Sequence, residues 1–160
     1  MKLYHGSLEI VEHPRIIEPN RTLDYGRGFY TTTSYEQAEQ WVRRRRSSEH
    51  TIGYVNVYEL PEVLPTSISQ LKFDKPTEAW VDFVMRNRTQ QDFTHDYDIV
   101  YGPVANDRVY AAFALYESDL LSKEGLIHEL KAYKLVDQFL FHTEKSLEHL
   151  TFIEAKEIIL

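Results

Sequence analysis

The apolar residues of this chain change spacing repeatedly and never settle into one rhythm, which restricts it to folds that mix helix and strand. Thr51 to Leu60 carries Ile52, Tyr54, Val55, Val57 and Tyr58 in strand-like alternation and is closed by Pro61. Just upstream, Ser34 reads as a helix N-cap, with Gln37 completing a capping box. The helix it opens runs through Ala38, Trp41 and Val42 into a run of arginines. Pro76 starts a second helix whose expected apolar face is Ala79, Trp80, Phe83 and Val84. From about Asn106, Val109, Ala112, Phe113, Tyr116 and Leu120 recur at helical spacing, and Leu126, Ile127, Leu130 and Tyr133 do the same in a further helix. Short strands are expected at Lys2 to Tyr4, Phe29 to Thr33, Asp98 to Tyr101, Gln138 to His142 and Thr151 to Ile153. Gly102-Pro103 reads as the stop of the third of these, and Thr143 opens a short helix between the last two. Because no regular βαβ alternation emerges, the expected class is α+β rather than a doubly wound sheet.

At 160 residues, with no internal repeat and no Gly/Ser- or Pro-rich linker, the chain is expected to form one domain over 1–160. Its hydrophobic share of 42% and charged share of 27% are those of a globular protein, which argues against intrinsic disorder and fibrous repeats. Cysteine is absent, so a disulfide framework, a thiolate metal site and a cysteine nucleophile are excluded. No apolar run approaches the roughly 18 residues of a membrane helix. The opening Met1 to Gly6 lacks the long apolar stretch of a secretory signal, so a cytoplasmic location and no membrane partner are expected.

The net charge of −7 argues against the phosphate backbone of nucleic acid as a general partner, because counterion release needs a basic surface. Arg43-Arg44-Arg45-Arg46 is the local exception. It reads either as a solvated helix end opposing the helix dipole, or as a contact for a phosphate or an acidic partner.

The familiar chemistries are mostly missing. There is no P-loop, and Gly26-Arg27-Gly28 is not a dinucleotide fingerprint, since no further strand–turn–helix glycine follows. A serine-hydrolase elbow is absent. No histidine pair has metal-binding spacing, His142 and His149 being too far apart for one helical turn, so no metal is expected. Gly26 and Gly28 mark places where φ turns positive or where another group comes close to the backbone.

The order of several motifs carries more than any one of them. Tyr4-His5-Gly6-Ser7 ends a strand, a loop follows, and Tyr25-Gly26-Arg27-Gly28-Phe29-Tyr30 precedes a helix carrying Ala38 and Trp41. This succession resembles the ADP-ribosyltransferase superfamily, in its diphtheria-toxin and poly(ADP-ribose)-polymerase branch. The stretches Leu3 to Ser7, Gly26 to Tyr30, Asp98 to Asp107 and Phe141 to Leu147 are similar to a family of small bacterial proteins catalogued as DUF3990.

The resemblance implies a split, highly bent β-sheet with flanking helices and an NAD cleft between its halves. NAD would be the co-substrate. His5 would hydrogen-bond the adenosine ribose, and Gly6 would offer its backbone N–H and C=O to the nicotinamide carboxamide, its missing side chain leaving room. Tyr30 would pack on one face of the nicotinamide ring, Trp41 would supply a second aromatic, and Ser7 would lie beside the ribose. For the third catalytic position, most often glutamate in relatives, the matching residue is Gln138. Glutamine bonds a ribose hydroxyl but carries no charge and is no base, which disfavours chain elongation and favours single ADP-ribose transfer or NAD binding without turnover. Glu144 and Asp137 are the nearby carboxylates that would replace it under another register. Asn106, Asp107 and Arg108 read either as a helix start or as a border of the acceptor site.

Three functions are thus open: a mono-ADP-ribosyltransferase, an NAD- or ADP-ribose-binding module, and an interaction protein using the arginine face. The family resemblance further implies a toxin-like or regulatory role inside bacteria, with a cognate protein inhibitor. The acceptor stays open between protein, nucleic acid, small molecule and water.

Overall fold

A computed structural model describes residues 1–16, 25–90, 94–103, 107–132 and 135–160. The elements follow in the order β1 (Lys2–Ser7), β2 (Phe29–Thr31), α1 (Tyr35–Arg44), β3 (Ile52–Glu59), β4 (Gln70–Lys72), α2 (Glu78–Thr89), β5 (Ile99–Pro103), α3 (Asp107–Glu117), α4 (Lys123–Lys131), β6 (Asp137–Phe141), α5 (Glu144–Leu147) and β7 (Thr151–Ile159). The class is mixed α+β, with two small sheets and five helices among the described residues.

The first sheet is antiparallel, in the order β1-β3-β7. The second runs β2-β6-β5-β4, antiparallel except for the parallel β4–β5 pair. Tyr4 and Thr32 exchange backbone hydrogen bonds of 2.8 and 3.0 Å, and this bridge joins β1 to the segment just past β2. Strand alternation sorts the core into layers. Leu3 and Tyr58 meet Phe29, Ile99, Phe139 and Phe141 between the two sheets. The outer face of the first sheet is covered by α1 through Ala38, Val42, Val55 and Ile158. On the outer face of the second sheet, Val100 and Leu140 pack with Trp80, Val84, Phe113, Leu126 and Leu130 from α2, α3 and α4. The molecule is therefore layered helix, sheet, sheet, helices.

Local sequence explains most boundaries. Ser34 Oγ accepts from Gln37 N–H at 3.2 Å, Ser122 caps α4 and Thr143 caps α5 in the same way. Several expectations are corrected. α2 is capped by Thr77 and starts at Glu78, and its buried face has Val81 and Asn87 beside Trp80, Phe83 and Val84, while Ala79 is exposed. Gly102-Pro103 does not stop β5 but belongs to it, pairing with Gln138 and Asp137. The reason is Tyr25, whose buried hydroxyl donates to Pro103 O at 2.6 Å and whose ring leaves no room for a Cβ at residue 102. Leu120 is exposed rather than core, and Tyr133 lies outside the described residues. β4 was not anticipated, and β7 extends six residues beyond the expected Ile153. No helix of the described residues is long and apolar enough to cross a membrane.

Candidate functional site

His5 projects from β1 into the space between the sheets, on the same face as Leu3 and Ser7. Its ring lies against Phe29, with centroids 4.3 Å apart. Its Nδ1 sits 2.7 Å from the carbonyl oxygen of Tyr30, which can only accept. Nδ1 therefore carries the proton, and Nε2 presents a lone pair. Burial pushes the imidazole down to about 4, the Tyr30 carbonyl opposing and the Arg45 charge adding to the shift, so the ring is neutral at physiological pH.

Gly6 follows on the opposite face of β1, which α1 covers. A Cβ here would run into the Ala38 carbonyl oxygen and lie 2.9 Å from Val42 Cγ2. The missing side chain is thus required by the seating of α1 rather than leaving an open space. What Gly6 does present is backbone. Tyr4 turns its N–H and C=O toward Thr32, and strand alternation turns those of Gly6 to the same side, away from β3. Trp41 is half-buried on α1, one turn beyond Ala38, and makes no aromatic pair among the described residues. Ser7 ends the strand, its Oγ accepting from Glu9 N–H at 3.1 Å.

Tyr30 points to the outer side of the second sheet, and its hydroxyl donates to Gly26 O at 2.5 Å. Gly26 has φ of 80°, the left-handed region that glycine favours. Gln138 lies on the same face of the sheet as Tyr30, diagonally across from it, because Tyr30 pairs with Leu140. It is 3% exposed, and no hydrogen bond to its amide is made among the described residues.

The two carboxylates that were alternatives to Gln138 stand elsewhere. Asp137 is on the opposite face of β6 and is occupied. It accepts from Thr33 N–H at 3.0 Å, from the Thr33 hydroxyl at 2.6 Å and from the Thr32 and Tyr101 hydroxyls at 3.4 Å. Glu144 lies past the far end of β6, in α5, where it accepts from Ile16 N–H at 3.1 Å. Asp107 and Arg108 open α3, and Asn106 lies outside the described residues.

The structure thus joins His5 to Tyr30 directly, places Gly6 against the helix that carries Trp41, and puts Gln138 beside Tyr30 on one sheet face. Residues 1–152 match the family described as a protein of unknown function, DUF3990. The chain belongs to the DUF3990 family. Among curated proteins, none matches it.

Three further residues in this DUF3990 chain support the site and escaped sequence reasoning. His142 Nδ1 donates to Arg27 O at 2.6 Å, which leaves its buried Nε2 without a hydrogen-bond partner. Burial holds this imidazole at about 4, with the Arg27 carbonyl opposing and His95, 4.5 Å away, adding to the shift. Asp98 ties β5 to its surroundings, accepting from Ser69 N–H at 2.9 Å and from the Thr143 hydroxyl at 2.8 Å. Burial raises its carboxyl, but the bonds from Ser69, Thr143 and Lys145 outweigh that and hold it below its usual value. Asn56, fully buried, accepts from Val11 N–H at 2.8 Å and donates to Glu9 O at 3.1 Å, fixing the chain that leaves β1. An asparagine inside an apolar alternating strand was the one available signal.

Proposed function

We propose that this protein is an NAD-dependent mono-ADP-ribosyltransferase, with the split, bent sheet of that superfamily and NAD lying where the edge of β1 at Gly6 meets β2. The observation that carries this reading is the fixed tautomer of His5. Its Nδ1–H is spent on Tyr30 O, so Nε2 is an obligate acceptor, which is what a ribose hydroxyl donor requires. Beside it, the outward backbone of Gly6 supplies one donor and one acceptor, the pair a carboxamide needs. The Tyr30 and Trp41 rings would then bracket the nicotinamide.

In the reaction the C1′–N bond breaks, its electron pair leaves with nicotinamide, and the acceptor attacks the ribosyl cation at C1′ while losing a proton. Holding the leaving ring by its carboxamide resists its rotation, and polar groups near the ribose stabilise developing positive charge. Gln138 contributes an amide dipole there, and no negative charge. That limits the stabilisation and favours transfer of a single ADP-ribose.

Gln138 also supports a second reading, a module that binds NAD or ADP-ribose without turnover. Melting curves with millimolar NAD test the shared premise, since a ligand selective for the folded state raises Tm. We expect a rise of several degrees, accompanied on long incubation by an ADP-ribose mass increment on the protein or an added acceptor. A rise without the increment for any acceptor would favour the binding module, and no rise would contradict both.

A further inference from the structure

The four arginines at the C-terminal end of α1 differ in what they meet. Arg43 folds back along the helix, its guanidinium on Glu39 Oε1 at 2.6 Å and on Ile159 O at 3.1 Å. Arg45 lies near enough to His5 for its charge to act on that imidazole. Arg44 and Arg46 face a concavity of about 550 Å³ that Arg43, Ser47, Ser48, His50, Thr51 and Leu160 also line. Neither Arg44 nor Arg46 forms an ion pair among the described residues.

The helix dipole accounts for basic residues in the last turn of α1, Arg43 and Arg44. It does not account for Arg46 beyond the cap, nor for a loop that turns hydroxyls and an imidazole into the same hollow. The loop is held closed, His50 N–H bonding Ser47 O at 3.3 Å and the Ser47 hydroxyl meeting His50 Nδ1 at 3.2 Å. Two planar guanidinium forks with hydroxyl donors around them suit a tetrahedral oxyanion, which accepts from several directions at once. A carboxylate would fill one fork and leave the rest idle. The hollow is open to solvent, and its volume lies within the range of small-ligand sites. The chain carries 25 acidic against 18 basic residues, yet no Asp or Glu lines this hollow, where the one carboxylate is that of the terminal Leu160.

We propose that this cavity is a binding site for the phosphate monoester of a small ligand of nucleotide size, separate from the His5 site. The test is calorimetric titration at physiological salt with uridine 5′-monophosphate, uridine, inorganic pyrophosphate and a glutamate-rich peptide, none of which contains nicotinamide. Wild type is compared with Arg44→Gln/Arg46→Gln, both positions exposed and outside the core, and with Ser47→Ala/Ser48→Ala. The nucleotide should bind the wild type, uridine should not, and the double arginine variant should weaken binding at least roughly tenfold. The serine variant should weaken it by a smaller factor. Pyrophosphate binding without nucleotide binding would overturn the nucleotide-sized ligand and leave only a site for free inorganic phosphates. Equal binding by the arginine variant, binding of the peptide as tight as that of the nucleotide, or no binding by either phosphate would overturn the proposal.

Discussion

His5 and His142 grip the two sides of the β2 segment, one through Tyr30 O at 2.7 Å and the other through Arg27 O at 2.6 Å, and each does so uncharged. Both are held at about 4 against an ordinary 6.5, so between those values the unfolded chain binds more protons than the folded one. Their stabilising contribution is complete above about pH 6.5 and is lost as pH falls toward 4. We expect urea midpoints to drop steadily between pH 7 and pH 4.5, for a loss of about 3 kcal/mol, with the part exposure of both rings discounted. His142→Asn keeps an N–H donor for Arg27 O and removes the titration, so it should flatten that slope; an unchanged slope would exclude His142 from the acid response. Asp98 acts at the same scale. Asp98→Asn puts an amide N–H₂ among the donors of Ser69 and Thr143 and should cost about 2 kcal/mol by the same measurement. None of these contacts is visible in a sequence, because the partners of both histidines are backbone carbonyls and those of Asp98 come from distant loops.

At the scale of elements, legibility followed local determinants. α1 and β3 could be read because an N-cap serine and an alternating apolar pattern are written into a few adjacent residues, although the capping box is only half formed, Ser34 N–H bonding Thr32 Oγ1 rather than the Gln37 side chain. β4 could not, since Gln70-Leu71-Lys72 becomes a strand only through its parallel pairing with β5. β7 looked short because Glu154, Lys156 and Glu157 are solvated on a sheet edge, where charge is tolerated and keeps foreign strands away. Gly102-Pro103 misled because the glycine serves the Tyr25 ring rather than a turn. Two substitutions test the seating of α1. Ser34→Ala removes the cap and should cost about 1 kcal/mol. Gly6→Ala drives a methyl into the Ala38 carbonyl and should cost about 3 kcal/mol, because helix backbone rather than a side-chain end must move. Thermal melts resolve both, and a Gly6→Ala protein as stable as wild type would contradict the packing of β1 on α1.

Over the whole molecule, the two sheets share one core layer, and the Tyr4–Thr32 bridge is the backbone join between them among the described residues. His5, Gly6 and the β2 segment lie at that join, so the candidate site depends on both sheets at once. The sequence order named His5, Gly6, Tyr30 and Trp41 as candidates, of which the first three lie at this join, while the reason for the glycine and the engagement of Asp137 by Thr33 needed coordinates. The most direct test of the account is nicotinamide release from NAD by wild type, His5→Ala, Tyr30→Ala and Gln138→Ala, each first shown by thermal melting to be folded. Release by wild type that falls at least roughly a hundredfold in His5→Ala and Tyr30→Ala, and less steeply in Gln138→Ala, is the expected result. Release that persists unchanged in both His5→Ala and Tyr30→Ala, or wild type that neither releases nicotinamide nor is stabilised by NAD, would contradict it.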